Sequence, residues 1–270
     1  MKKKALKETI KTPVIIIIAA VVIIGVIVAC LISCTGKKPK GIDVTQPALH
    51  LEDSKWSTST NGRKSYDNEK YKTYCGIDVS EWTGEIDWER AKNDGIQFAI
   101  MRVGYRGYET GKFVFDSNLR HYLKGAVEAG IDCGVYFVSQ AINEEEAREE
   151  ADMILEQVYG IDLTMPVYID LEAAGGPART DTLTTKDYTN IINAFCERVE
   201  ENGFRGGIYS NETWITRHLD WNNLTQWDLW FAKYTEIPAT DYLFNVWQYS
   251  DTAQIDGIAN NCDINIRICK

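Results

Sequence analysis

Asp170 and Glu172 stand one residue apart at the end of the apolar run Pro166-Val167-Tyr168-Ile169. On an extended strand this spacing sends both carboxyls to one face, ~6–7 Å apart at Cα. Asp78 lies near the end of a second short run, Gly76-Ile77-Asp78-Val79, and Asp263 begins another, Asp263-Ile264-Asn265-Ile266. Carboxyls gathered at strand ends suit glycoside hydrolysis. There a protonated acid must reach the glycosidic oxygen, and a second group must handle the developing oxocarbenium ion. Crowded like charges raise one pKa and keep that acid protonated near neutral pH. Taken alone, an Asp-x-Glu pair is equally compatible with a metal site or a plain surface pair. The three histidines, His50, His121 and His218, lie away from the carboxylate strand ends. A Ser nucleophile elbow, a phosphate loop and a usefully spaced Cys-His pair are all missing from the sequence. The chemistry narrows to carboxylate catalysis or binding, with no metal and no cofactor expected.

Aromatic residues accompany these ends. Tyr136, Tyr209, Trp230, Tyr234, Trp247 and Tyr249 fall at or just after apolar runs, beside Gln248 and Ser210. Aromatic faces stack on the apolar faces of sugar rings, so this set is read as a carbohydrate groove.

Such residues need strands to hold them. From Tyr74 onward, runs of four to seven β-branched or aromatic residues recur at 76–79, 98–103, 134–138, 166–171 and 207–210, each bounded by turn residues. These fit strands buried on both faces. Between them, Leu119, Tyr122, Leu123, Ala126 and Val127 follow helical spacing, with Gly130 placed as a stop. Ala147, Ala151, Ile154, Leu155 and Val158 repeat that spacing, as do Tyr188, Ile191, Ile192, Phe195 and Val199. Asn143 followed by Glu144-Glu145-Glu146 suits a capped first turn. The alternation predicts a parallel sheet with right-handed crossovers. After Ser210, three further strands at 228–232, 245–249 and 263–266 follow one another without a convincing helix after residue 232. The fold expected is an α/β, irregular (β/α) barrel of about eight strands, its last strands antiparallel, hairpin-joined and helix-poor. Chemistry in such a barrel gathers at the C-terminal ends of the strands.

Charge divides the 270 residues sharply. Residues 1–72 hold 13 Lys and Arg against 6 Asp and Glu, whereas the rest is strongly acidic and the whole chain carries −10. An acidic globular part excludes nucleic acid as a partner, because phosphate binding needs a basic face.

The first piece reads as delivery apparatus. Val14 to Ser33 contains no charged side chain and follows Lys2, Lys3, Lys4, Lys7 and Lys11. A helix of that length spans roughly 30 Å, enough to cross a bilayer, and the lysines keep its start in the cytoplasm. The domains expected are a cytoplasmic tail (1–13), a transmembrane anchor (14–33), an extracellular linker (34–72) and a globular domain (73–270). The chain is thus placed in the cell membrane as a single-pass protein with an extracellular C-terminal domain. A cleaved signal peptide, or a lipoprotein acylated at Cys34 or Cys30, are the alternatives; all three export the domain. Residues 35–72 read as a solvated stalk, with Trp56 and Tyr66 isolated and given no role.

Five cysteines fall in the domain: Cys75, Cys133, Cys196, Cys262 and Cys269. An exported domain permits disulfides. Five is odd, so at least one stays free. If the last strand runs antiparallel to the first, Cys75 and Cys269 both lie at the barrel floor and could pair; the alternative is that the cysteines are small buried hydrophobes.

The residues also carry a resemblance. The segment Gly76-Ile77-Asp78-Val79-Ser80-Glu81-Trp82-x-Gly84-x-Ile86-Asp87-Trp88 resembles the opening of the glycoside hydrolase family 25 lysozymes. So do Phe98-Ala99-Ile100-x-Arg102, Gly134-Val135-Tyr136-Phe137, Asp170-x-Glu172, Gly207-Ile208-Tyr209-Ser210, Trp230-x-Ala232-x-Tyr234, Trp247-Gln248-Tyr249 and Asp263-Ile264-Asn265, in the family's order. The resemblance implies cleavage of the β-1,4 bond between N-acetylmuramic acid and N-acetylglucosamine, with peptidoglycan glycan strands as the partner. It implies that Glu172 is the general acid and that Asp170 steers the substrate's 2-acetamido group. Asp78 and Asp263 match the other two carboxylates of the site. A catalytically silent wall-binding module and a glycosidase for another N-acetylated glycan stay open as alternatives.

Overall fold

Period-two alternation along short apolar runs gives each strand one face toward a barrel interior and one toward an outer layer. The computed structural model describes residues 51–269. The uncharged run 14–33, its flanking lysines, Cys30 and Cys34 lie outside the described residues. Among the described residues no helix is long and apolar enough to cross a membrane.

The strands are β1 (Trp56–Thr58), β2 (Lys64–Tyr66), β3 (Lys72–Val79), β4 (Phe98–Arg106), β5 (Phe113–Phe115), β6 (Asp132–Val138), β7 (Val167–Asp170), β8 (Gly206–Asn211), β9 (Asp228–Ala232), β10 (Val246–Ala253) and β11 (Cys262–Cys269). The helices are α1 (Trp88–Asn93), α2 (Leu119–Glu128), α3 (Glu144–Gln157), α4 (Thr185–Glu201) and α5 (Glu212–His218). Eight strands close in the order β3-β11-β10-β9-β8-β7-β6-β4, with β4 pairing back onto β3. Neighbours are parallel except for β11, which runs antiparallel to both β10 and β3. The three long helices fall where the spacing places them. The Asn143 side chain accepts from the Glu146 amide, and Thr184 and Asp187 form a reciprocal cap on α4.

Three expectations are corrected. The final strands are not a series of hairpins: β9 and β10 are parallel and joined by residues 233–245 without a helix, so only β11 reverses direction. No disulfide joins Cys75 to Cys269. In the β3–β11 register Cys75 pairs with Ile266 and Cys269 with Lys72, so the two are three positions out of step, and all five domain cysteines are free. The linker assigned to 34–72 includes folded chain. Residues 56–66 make the antiparallel β1–β2 hairpin, and Trp56 sets its ring edge-on to both Tyr66 and Trp247, at 5.1 Å from each.

The barrel interior is filled. Phe98, Ile100, Met165, Tyr168, Trp230 and Val246 form its core, with Tyr74, Tyr136 and Tyr209 packed against them. Gly76 and Gly207 make room for it: a Cβ on either would lie 2.5 Å from the ring of Phe98 or Tyr168. A second, larger apolar layer lies between the outer strand faces and the helices.

Candidate active site

The same alternation that fills the barrel lifts polar side chains at its C-terminal rim. On β3 the inward positions run Tyr74, Gly76, Asp78; on β11 they run Asp263, Asn265, Arg267. Asp78 faces Asp263 directly in the register. Asp170 ends β7 between Val138 and Tyr209 on the neighbouring strands. Glu172, two residues beyond, opens to solvent. The four carboxyls singled out in the sequence are thereby brought to one mouth.

Their electrostatics follow from that gathering. Burial lifts the Asp78 carboxyl well above its ordinary value, the charge of Asp263 adds to the effect, and two amide donors oppose it. Those donors are Asn265 Nδ2 at 2.8 Å and Gln248 Nε2 at 2.9 Å, both on Asp78 Oδ2. Asp170 is raised by burial, then by Glu172 and Asp78, and its Oδ1 is buried without a partner. Glu172 is raised by desolvation: its carboxyl reaches solvent, but the dense wall of the mouth thins the water around it. Burial, together with Asp251 and Glu172, moves Asp263 up to about 6. A mouth in which desolvation favours the neutral form of Glu172, beside three other carboxyls, is suited to proton transfer to a leaving group.

Around Asp78 the hydrogen bonds form a directed set. Tyr209 and Tyr234 both donate their hydroxyls to Gln248 Oε1, at 2.9 and 3.1 Å. This fixes the amide so that its NH₂ points at Asp78. Trp230 Nε1 donates to Asn265 Oδ1 at 2.8 Å and orients the second amide in the same way. Gln248 is thus a holder of Asp78. Asn265 does the same work and was legible only as the residue sharing a strand face with Asp263, two positions on.

The aromatic set separates into three groups. Tyr234 is 52% exposed, and Tyr209 and Tyr136 line the descent from the rim. Trp230 is buried one layer lower, its ring edge-on to Tyr209 (4.6 Å), Tyr168 (5.3 Å) and Tyr136 (5.5 Å). Trp247 and Tyr249 take the outer face of β10, buried against the hairpin, where a sugar in the mouth cannot reach them. The groove assignment is corrected for Trp247 and Tyr249, because Gln248, not its neighbours, holds the inward position on β10, and for Trp230, which points inward but is buried below the mouth. Trp82 went unassigned in the sequence; it is 78% exposed on the turn leaving β3. Among the described residues no cluster of His, Cys, Asp and Glu is arranged to hold a metal ion.

This barrel, with its acidic mouth, has counterparts of known class. Residues 77–258 match the model of glycosyl hydrolases family 25, and the chain belongs to that family. It is 27% identical over 200 residues to lysozyme M1 of Streptomyces globisporus, covering 70% of this chain and 66% of that protein. To the autolytic lysozyme of Clostridium acetobutylicum it is 22% identical, covering 70% of this chain and 54% of that protein. The crystal structure of the bacterial lysozyme from Streptomyces coelicolor superposes with a TM-score of 0.58 at 25% identity, over 71% of this chain and 90% of that one. The chain spans about half to two thirds of the length of those two curated relatives.

Proposed function

We propose that the protein is a peptidoglycan hydrolase, cleaving the β-1,4 bond between N-acetylmuramic acid and N-acetylglucosamine. The observation that carries this reading is the convergence of Asp78, Asp170, Glu172 and Asp263 at one barrel mouth, in a chain of family 25. Glu172, whose carboxyl desolvation shifts toward the neutral form while it stays open to solvent, is the proton donor to the leaving oxygen. Asp170, buried at the strand end two residues before Glu172 with an unpartnered Oδ1, takes the role toward the 2-acetamido group that the family resemblance implies. Asp263 supplies negative charge that favours an oxocarbenium-like transition state, and Asp78, clamped by Gln248 and Asn265, completes the set of four carboxyls.

The uncharged run 14–33 behind five lysines supports a single-pass anchor that places this domain outside the cell membrane, facing the wall. Tethered there, the enzyme remodels or locally opens the wall.

The test uses the full chain in detergent on purified peptidoglycan. Wild type is expected to release new reducing ends at muramic acid, and Glu172→Gln to lower the rate by about 10²–10⁴. Absence of release by wild type from several wall chemotypes overturns the reading. Digestion of the domain by external protease in wall-stripped cells checks the placement, and lipid labelling lost on Cys34→Ala would replace the anchor by a lipoprotein.

A further inference from the structure

The β1–β2 hairpin precedes the residues matched by the family model, yet it packs on Trp247 and bonds the loop that follows β9. Lys64, on β2, is an outlier in this respect. Lysines are rarely buried unless paired, and this one is only 9% exposed. Its ammonium donates to the Glu236 carbonyl at 2.7 Å, to the Glu236 carboxylate at 3.1 Å and to Thr58 Oγ1 at 3.3 Å. It also lies over the rings of Trp247 (5.5 Å) and Tyr249 (5.6 Å). The Glu236 carboxylate is almost fully exposed and contributes little. The bond to the buried side of the loop is the one to its backbone carbonyl.

That loop, residues 233–245, has no helix or strand of its own and carries Tyr234 to the mouth. From the barrel side it is held by Trp247 Nε1 donating to the Lys233 carbonyl at 2.7 Å and by the Lys233 amide donating to the Gln248 carbonyl at 3.0 Å. The hairpin is itself bolted down: Arg63 pairs with Asp94 at 2.6 Å, and Trp56 packs on Trp247. Lys64 therefore holds Glu236, which lies two residues along the backbone from Tyr234, and the Tyr234 hydroxyl in turn bonds Gln248, whose amide bonds Asp78.

We infer that Lys64 is a positioning residue for the reaction proposed above: it braces the 233–245 loop so that Tyr234 keeps its hydroxyl on Gln248 and Gln248 keeps its amide on Asp78. The inference rests on that reading of the site.

Four full-chain proteins test it: Lys64→Met, Lys64→Arg, Tyr234→Phe and the double variant Lys64→Met/Tyr234→Phe, with Lys55→Met as an exposed control on the adjoining turn. Lys64→Met is expected to lower kcat about tenfold while KM changes less, and Lys64→Arg to restore most of the loss. The double variant is expected to be no worse than its poorer parent, because both changes cut one chain of contacts. Hydrogen exchange of peptides spanning 233–243 is expected to quicken in Lys64→Met and to stay unchanged in Lys55→Met. Additive losses in the double variant, or exchange in the loop that Lys64→Met leaves unaltered, overturn the inference. An inactive wild type overturns the proposed function instead, and the bracing is then decided by exchange alone.

Discussion

Asp263 sits directly opposite Asp78 across the antiparallel β3–β11 pair, both turned toward the barrel mouth. Like charges in that arrangement cost stability, and the fold retains them. Asp263→Asn is therefore expected to raise the thermal midpoint by a few degrees at alkaline pH, at about 2–4 °C per kcal/mol for a domain of this size. The same change is expected to lower turnover about tenfold or more. Calorimetry and reducing-end assays on one preparation check both. A variant that loses activity without gaining stability contradicts the account.

The pH dependence of stability should run opposite to ordinary acid denaturation for these groups. Burial lifts Asp78 from 3.8 to about 8, so the folded protein holds a proton that the unfolded chain releases between those values. Where the folded state binds more protons, stability falls as pH rises. Asp78→Asn has no such proton to lose. Its advantage in melting temperature over wild type should widen steadily from about pH 4 to about pH 8. A constant difference across that range would mean that the two amide donors keep Asp78 ionised throughout.

Gln248 can be separated from the carboxyls it serves. Gln248→Leu removes one donor from Asp78 and leaves the Tyr209 and Tyr234 hydroxyls without their acceptor. Asp78 holds its proton near neutral pH, so the lost bond is a neutral one of about 0.5–1.5 kcal/mol, and kcat should fall about 2- to 12-fold. Binding of a non-hydrolysed glycan should change far less. Equal losses in binding and turnover would make Gln248 a substrate contact instead.

Trp56 is one of the side chains through which the hairpin contributes to folding, beside Tyr66 and the Arg63–Asp94 pair. Trp56 is partly buried against Tyr66 and Trp247, and Trp56→Ala is expected to cost about 2 kcal/mol, less than a fully buried tryptophan. Thermal unfolding should shift down by roughly 4–8 °C. No shift would return residues 51–66 to the status of a passive stalk.

The thiols offer a direct chemical reading. Cys133, Cys196, Cys262 and Cys269 are buried, Cys75 is partly so, and desolvation raises every one of the five thiols. Alkylation of these five without reductant should be slow in the native protein, and after unfolding label should reach all seven cysteines of the chain, as counted by mass. Peptide mapping that leaves two of the five domain cysteines unlabelled would mean that a bridge has formed.

Most of the barrel was legible because each of its strands is a bounded apolar run, and the carboxyls at their ends needed only the alternation rule to be gathered. The failures have physical causes. Strands of three residues, as in β1, β2 and β5, are too short to show a period. Along β10, Trp247 and Tyr249 were read as groove residues on their chemistry, although a single polar Gln248 in an otherwise apolar run marks the opposite parity as the inward one. Trp230 has the right parity but the wrong depth, which no periodicity encodes. The direction of β10 relative to β9 depends on the path of a 13-residue loop without helix or strand, and composition does not specify it.

Trp230, walled by three tyrosines over Phe98 and Ile100, closes the barrel from below. Nothing polymeric can thread through a cup with a solid base. On the function proposed above, a glycan strand must be laid sideways over the brim, and both severed ends must depart the way the strand arrived.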